Sequence, residues 1–581
     1  MCHCYDIIES LNIAMFDFII VKDIVYKENT MEINNLTYMT VAEYSAVFGQ
    51  EMSHKEFLAL LSKISCQKAL VILSRFASLQ LALCYKEKKA IDLSQQLKLI
   101  HYKHIKELGG NTVKYNEFDT LMCLQSIFLL EKWVLVYCLN DCRLTPITLE
   151  DIMTIMDAIL SINDKLPKDD VHGHETEYLY LMLYHNTPKN IIHQLARSYY
   201  VFSTLAKQER ETIDFLKRYE QDKKFSVTDR ISVLFLSLYN VYPSFEFEDF
   251  FSKNLCAKAE GFDAVGLASV YDTIMHSLKS NHAQSQKNAK KILSQVWNFE
   301  PFYRTPFVQI DDSLYCFSAV HVVYQIWEGL YWDVRYNFHN DGELFMRNFG
   351  RPYEHYIQQI TNAAASESNN KAIFQNEFLY KYKKDSRASS DCYCRIGNTL
   401  IAVEAKAKSP HSKTLTGVDR SAILIEVKDL MIDPVNQVLE RYKEIYSDEN
   451  DIDVKTKTFF QGVDQTIILS VSMEKVQPIG ELLYEFDKDI NPQLAGTKVV
   501  AYHNVNIEEY EAICNLIQTA PDELPQILIE WFKAQRKDKR SAVVLANYLI
   551  SCKKPYVCSK YVSDLFNKSI NDIMEKTFPD S

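Results

Sequence analysis

Residues 391–406 read Asp-Cys-Tyr-Cys-Arg-Ile-Gly-Asn-Thr-Leu-Ile-Ala-Val-Glu-Ala-Lys. Two alternating apolar runs flank Gly397-Asn398, which predicts a β-hairpin with a two-residue turn. The turn fixes the register. Ile396 faces Thr399, Arg395 faces Leu400, Tyr393 faces Ala402 and Asp391 faces Glu404. Directly opposed residues share a face, with Cβ atoms roughly 5 Å apart. Lys406 lies two residues past Glu404 and joins that face. One local hairpin therefore gathers two carboxylates and an ammonium. Adjacent carboxylates repel unless a cation lies between them. Oxygen ligands of this kind suit a hard divalent metal, and metal-assisted hydrolysis is its natural use.

The rest of the chain favours helices. Only 14 glycines and 15 prolines occur in 581 residues, too few for a sandwich or barrel rich in turns. Residues 1–165 read as a helical domain with short strands at 15–26 and 31–39. The polar run from Asn163 to His174 is a linker candidate. Residues 166–300 continue as helix. From 301 to 505 the texture changes: a small hairpin at 306–318, a helix from Ala319 to Tyr331, and a helix from Phe349 with Pro352 in its first turn. A strand from Ala372 to Lys383, the 391–408 hairpin, a helix capped by Asp419 and continued past Pro434, and strands at Thr466–Ser472 and Lys498–Tyr502 follow. Residues 506–581 return to helix. The predicted class is α+β overall: a large, mostly helical N-terminal region, an α/β core with a mixed central sheet, and C-terminal helices.

Net charge is −12, so the chain is no uniformly basic nucleic-acid coat. Local patches matter more than the sum. From Lys371 to Leu415 nine Lys and Arg stand against four acids, a net of +5 around the hairpin. The N-terminal residues show no basic, apolar leader. The most apolar window, Met122–Leu139, is interrupted by Glu131 and Lys132 and reads as a buried helix. The expected setting is cytoplasmic, with no membrane partner. The fourteen cysteines show no recurring CxxC spacing and read as reduced core thiols. Cys2-His3-Cys4 and His172-Gly-His174-Glu175 lack partners at zinc-ligand spacing. No phosphate-binding P-loop or GxGxxG is present. The basic run Trp531–Arg540 reads as a solvated helix end, with contact to a nucleic-acid backbone as the weaker alternative.

The order helix–strand–strand–strand–helix–strand over residues 350–473, with an acid opening the second strand and Glu-x-Lys in the third, resembles the PD-(D/E)XK nuclease superfamily, the restriction-endonuclease-like fold. Asp391 and Glu404-Ala405-Lys406 match the pattern. Glu354 fits the glutamate that many members carry on the first core helix. Gln437, with Tyr442 nearby, fits the glutamine on the helix after the third strand. Ser390 stands where the family usually has proline. A second Glu-x-Lys, Glu426-Val-Lys428, falls in a capped helix and reads as a decoy.

The resemblance implies a Mg²⁺ or Mn²⁺ ion held by Asp391, Glu404, the Ala405 carbonyl and Glu354. Lys406 would orient or help deprotonate the attacking water and stabilise the phosphorane, Gln437 would position water or phosphate, and Lys408, read on the same strand face, would contact DNA. The expected function is a metal-dependent nuclease, DNA endonuclease first. By fold-level analogy it is an effector of prokaryotic anti-phage defence, acting as a homodimer or with a partner protein. The alternatives are a helical scaffold or sensor whose nuclease-like domain binds nucleic acid or a partner without cutting, and an RNA-cleaving enzyme. A cross-strand ion-pair network on a solvent face is the purely structural account of the same residues.

Overall fold

The computed structural model describes residues 41–577, apart from 85–86, 119, 141–144, 167–174, 187–188, 209–213, 242–244, 252–266, 339–340, 417–418 and 539–541. The strands expected at 15–26 and 31–39, the Cys2–Cys4 cluster, His172, His174 and the end of the linker lie outside the described residues. The scarcity of helix breakers is realised as a predominance of helices among the described residues of the first 300. They include α1 (Lys88–Glu107) and α2 (Leu124–Tyr137). Helix α2 buries Glu131 and Lys132 along with its apolar residues, so it is a core helix. Among the described residues no helix is long and apolar enough to cross a membrane. Helix α3 (Ile191–Tyr199) runs on into a π-helical turn, Tyr200–Leu205.

A small sheet opens the second half. Strand β1 (Lys279–Asn281) runs parallel to β2 (Phe307–Ile310), which pairs antiparallel with β3 (Ser313–Cys316). The predicted hairpin is there, with β1 added. The helix expected from Ala319 to Tyr331 breaks at Trp327 into α4 (Ala319–Ile326) and α5 (Glu328–Tyr336). Helix α6 (Gly342–Ser366) starts earlier than predicted, because Asp341 caps it by accepting from the Leu344 N–H. Pro352 therefore sits inside the helix and not in its first turn. A proline there forfeits one helical hydrogen bond. The helix continues because Phe349, Tyr353, Tyr356 and Ile357 on the same turns are buried.

The predicted strand Ala372–Lys383 is two strands in two sheets. Strand β4 (Ala372–Asn376) ends where the Glu377 N–H donates to the Asp391 carbonyl and Phe378 pairs with Ser389. The chain then leaves as a hairpin, β5 (Leu379–Tyr382) and β6 (Asp385–Ala388), before returning as β7 (Cys392–Ile396) and β8 (Thr399–Lys406). The β7–β8 register is the one the turn dictates, with Ile396 opposite Thr399 and Cys392 opposite Val403. Gly397 supplies the positive φ of 56° that the turn needs. Helices α7 (Arg420–Val427) and α8 (Asp433–Ile445) are joined by a π-helical turn, Lys428–Ile432, which admits Pro434 without a break. Strand β9 (Asn450–Asp451) pairs with β5. Strands β10 (Gln465–Ser472) and β11 (Val499–Asn506), then helices α9 (Ile507–Thr519), α10 (Leu524–Arg536) and α11 (Lys560–Thr577), complete the chain.

The main sheet has the order β11-β10-β8-β7-β4. Strands β8, β10 and β11 are mutually parallel, while β7 is antiparallel to both β8 and β4. Strand β8 is covered on both faces, which explains its near-continuous apolar run. Ile401, Val403 and Ala405 pack with residues of α6 and α9. Leu400 and Ala402 pack with Ile423, Val435, Val438 and Leu439 of α7 and α8. Each fully buried aliphatic side chain contributes about 1.5–3 kcal/mol. The first of these cores is continuous from Ala42 to Ile573, so helices from both ends of the chain build on the sheet.

Candidate functional site

The site lies where β8 ends and β7 begins. Parity on β8 sends Glu404 and Lys406 to the α8 face, two and four residues past Ala402. Glu404 is 3% exposed. Lys406 Nζ donates to Glu404 Oε1 and to Gln437 Oε1, both at 3.1 Å. Gln437 and Arg441 lie four apart on α8 and share a face. The Arg441 charge also acts on Glu404. Asp391, the residue before β7, accepts from the Ala405 N–H through Oδ2 at 2.6 Å. Its carbonyl is held by the side-chain amide of Gln358 on α6 at 3.0 Å and by the Glu377 N–H at 3.1 Å. Glu354 lies on α6 one turn before Gln358.

The electrostatics mark one cluster. Burial pushes the Asp391 carboxyl well above its ordinary value, and the charges of Glu404 and Glu354 push it further. Glu404 is raised by burial against the pull of Lys406 and Arg441. Glu354 is raised by burial, then by Glu377 and Glu404, against Arg351. Lys406 is raised, because Glu404 and Asp391 outweigh the cost of burying it. Its proton is therefore firmly held. Among the described residues, the buried Glu404 Oε2 accepts no hydrogen bond, an expensive state for a carboxylate oxygen.

Asp391, Glu404, Ala405, Lys406, Glu354 and Gln437 are thus brought into one neighbourhood. Among the described residues, however, no three His, Cys, Asp or Glu side chains form a ready-made metal cage. Tyr442 is not in the site; its hydroxyl accepts from the Lys498 N–H on the far side of α8. Nor does Lys408 share the strand face. The chain turns after Lys406, with the Lys408 N–H bonded to the Lys406 carbonyl, and Lys408 Nζ pairs with Asp429 at 2.5 Å. Glu426 is buried on α7 and pairs with His411, as suits a structural residue. Ser390 has a use that the family's proline would not serve: its N–H donates to the Tyr393 hydroxyl at 3.1 Å. Trp531 is buried against His503, and Arg536 pairs with Asp487, so this end of the basic run is structural.

Sequence reasoning missed Glu377 and Arg351. Arg351 Nη1 lies 3.4 Å from Glu377 Oε2 and 3.7 Å from Glu354 Oε2. Arg351 carried a legible signal, three residues before Glu354 on one helix face. Glu377 carried none, since its place depends on the chain breaking from β4 at that residue. No family model matches the chain, and no curated protein matches its sequence.

Proposed function

We propose that the chain is a divalent-metal-dependent nuclease of the PD-(D/E)XK type that hydrolyses phosphodiester bonds, with DNA as substrate. The observation that carries the reading is Glu404 Oε2: a buried, unpartnered carboxylate oxygen beside Asp391, with Lys406 on the same strand face. The donor set is all oxygen and carries surplus negative charge, which fits a hard cation. Asp391, Glu404, the Ala405 carbonyl and Glu354 would hold Mg²⁺ or Mn²⁺. The bound ion supplies charge neutralisation and polarisation at a phosphoryl oxygen.

The protein's own groups account for the rest. The Lys406 ammonium, held by Glu404 and Gln437, serves as a charged donor to phosphate or water. Gln437 fixes the Lys406 ammonium. Gln358 fixes Asp391 through its backbone. The mixed sheet, with the acid and Glu-x-Lys on adjacent antiparallel strands between α6 and α8, supports the same family reading. A role in anti-phage defence and action as a homodimer belong to this proposal by analogy alone.

The test is divalent-dependent nicking of supercoiled plasmid by the full chain, lost in Glu404→Ala and in Lys406→Ala. Undiminished cleavage by both variants would sink the assignment. A second reading, to which the net charge of −12 points, is a nuclease-like domain that binds without cutting. Calorimetry separates the two: wild type that takes up no Mn²⁺, with or without DNA, supports the scaffold. Parallel digests of DNA and RNA decide the substrate.

A further inference from the structure

Three exposed cations on the two elements rooted in this site, α6 and the β5–β6 hairpin, pair with no carboxylate among the described residues. Helix α6 carries Arg347, Arg351, Glu354 and Gln358 at spacings of four, three and four, one stripe along the helix. Gln358 and Arg351 already reach the site, through the Asp391 carbonyl and Glu377. Arg347 lies one turn further out, roughly 6 Å along the axis. It is exposed, and no ion pair claims it.

The β5–β6 hairpin flanks the other side. Its two roots, Glu377 and Asp391, both belong to the carboxylate cluster, so the hairpin springs from the cluster directly. Leu379–Ala388 holds four cations against the single acid Asp385. Two of the four are engaged locally. Lys383 pairs with Glu449 at 3.4 Å, and Arg387 lies 3.8 Å from Glu444 and 3.7 Å from Asp385. Lys381 and Lys384 are exposed and unpaired. Asp451 stands opposite Lys381 in the β5–β9 ladder, yet no ion pair joins them.

Arg347, Lys381 and Lys384 neutralise no buried acid and cap no helix, so the fold gives no reason for them. The carboxylates between them repel a polyanion, and attraction must come from the flanks. Resting on the nuclease reading, we propose that Arg347, Lys381 and Lys384 grip phosphates of duplex DNA from the two elements rooted in the site, α6 and the β5–β6 hairpin. Contacts of this kind position the duplex without reading its sequence.

The test is fluorescence anisotropy of a labelled DNA duplex with the full chain, in EDTA and over a salt series. The triple variant Arg347→Ala/Lys381→Ala/Lys384→Ala binds more weakly, and its log–log salt slope is shallower by about 2–3, at ~0.9 per lost phosphate contact. Lys103→Ala/Lys106→Ala on α1 keeps the wild-type slope. A triple variant with wild-type affinity and slope overturns the path. So does a slope shared with an RNA duplex when the DNA duplex is not bound. Plasmid nicking, measured separately, keeps the two claims apart. Wild type that nicks while the triple variant keeps its slope removes the path and leaves the nuclease. Wild type that shows the hairpin-dependent slope but leaves plasmid intact with Mg²⁺ and with Mn²⁺ removes the nuclease and leaves the path.

Discussion

Two regions of this molecule bury several charges at the ends of the main sheet, and they treat them in opposite ways. At the seam between α3 and α9, Arg197 grips Glu511 with two hydrogen bonds of 2.7 and 2.8 Å, and the Tyr356 hydroxyl donates to the same carboxylate. Beside it Lys189 bridges Glu328 and Glu474, Asn506 donates to Glu474, and Lys475 pairs with Glu509. The Glu474 carboxyl is held below its ordinary value by Lys189 and these donors, in spite of burial. Only Glu508, at the edge of the seam, is pushed up by burial, to about 7. In the site, Asp391, Glu404 and Glu354 are all pushed up, and Glu404 Oε2 has no donor. Partnered burial fastens the helices to the sheet. In the site, burial among surplus carboxylates raises their values, a pattern common at functional sites.

Four measurements break or sharpen this contrast. The largest effect is on chemistry. Glu404→Gln and Asp391→Asn lower plasmid nicking by at least about 10²–10³-fold, the cost of losing one preorganised electrostatic group. Their urea midpoints stay near that of wild type, because each isostere relieves the repulsion among Asp391, Glu404 and Glu354 while one acid remains for Lys406. A variant of this pair that unfolds would erase the distinction. Next is the seam. Arg197→Ala leaves Glu511 buried without its partner and lowers stability by about 3–5 kcal/mol, read as a drop in urea midpoint. If that loss is below about 1 kcal/mol, the seam is no fastening.

The third measurement uses pH. Glu404 has a raised value in the folded chain, so folding favours its protonated form. Its contribution is fully present below the ordinary value near 4.5 and is lost as pH rises through the raised value. Melting in EDTA therefore shows Glu404→Gln gaining on wild type as pH climbs above that range. Glu474 behaves in reverse. Its folded value is lowered, so its contribution is present above the ordinary value and is lost as pH falls through the lowered one. Glu474→Gln costs stability at neutral pH and little in acid. The same sign in both variants contradicts the comparison. The smallest effect is Gln437→Ala, which removes one hydrogen bond to a charged group, about 1.5 kcal/mol, and so lowers nicking about tenfold with no change in the pH profile.

Much of the site was legible because it is local. Gly397-Asn398 sets the hairpin register, and the register places Asp391 beside Glu404 and Ala405. The helix spacing of Glu354 and the position of Gln437 followed from their elements. Lys408 and Tyr442 were misplaced for a common reason. A periodic pattern says nothing about where a strand stops or which side of a helix meets the sheet. The turn after Lys406 takes Lys408 to Asp429, and packing turns Tyr442 toward Lys498. Pro352 reads as a helix start because the local penalty is real, but burial of the surrounding aromatics outweighs it.

The sequence by itself determined the β7–β8 hairpin, its pair of acids, the lysine on their face and the helical character of most of the chain. Each follows from nearest neighbours: a turn dipeptide, a period of two, and few helix breakers. Only the tertiary structure decided that β4 ends at Glu377, that the β5–β6 hairpin springs from the acid cluster, and that helices from both ends of the chain close on one sheet. Those outcomes depend on contacts between residues far apart in sequence, such as Arg197 with Glu511 and Arg351 with Glu377. No local pattern encodes which distant partner will satisfy a buried charge.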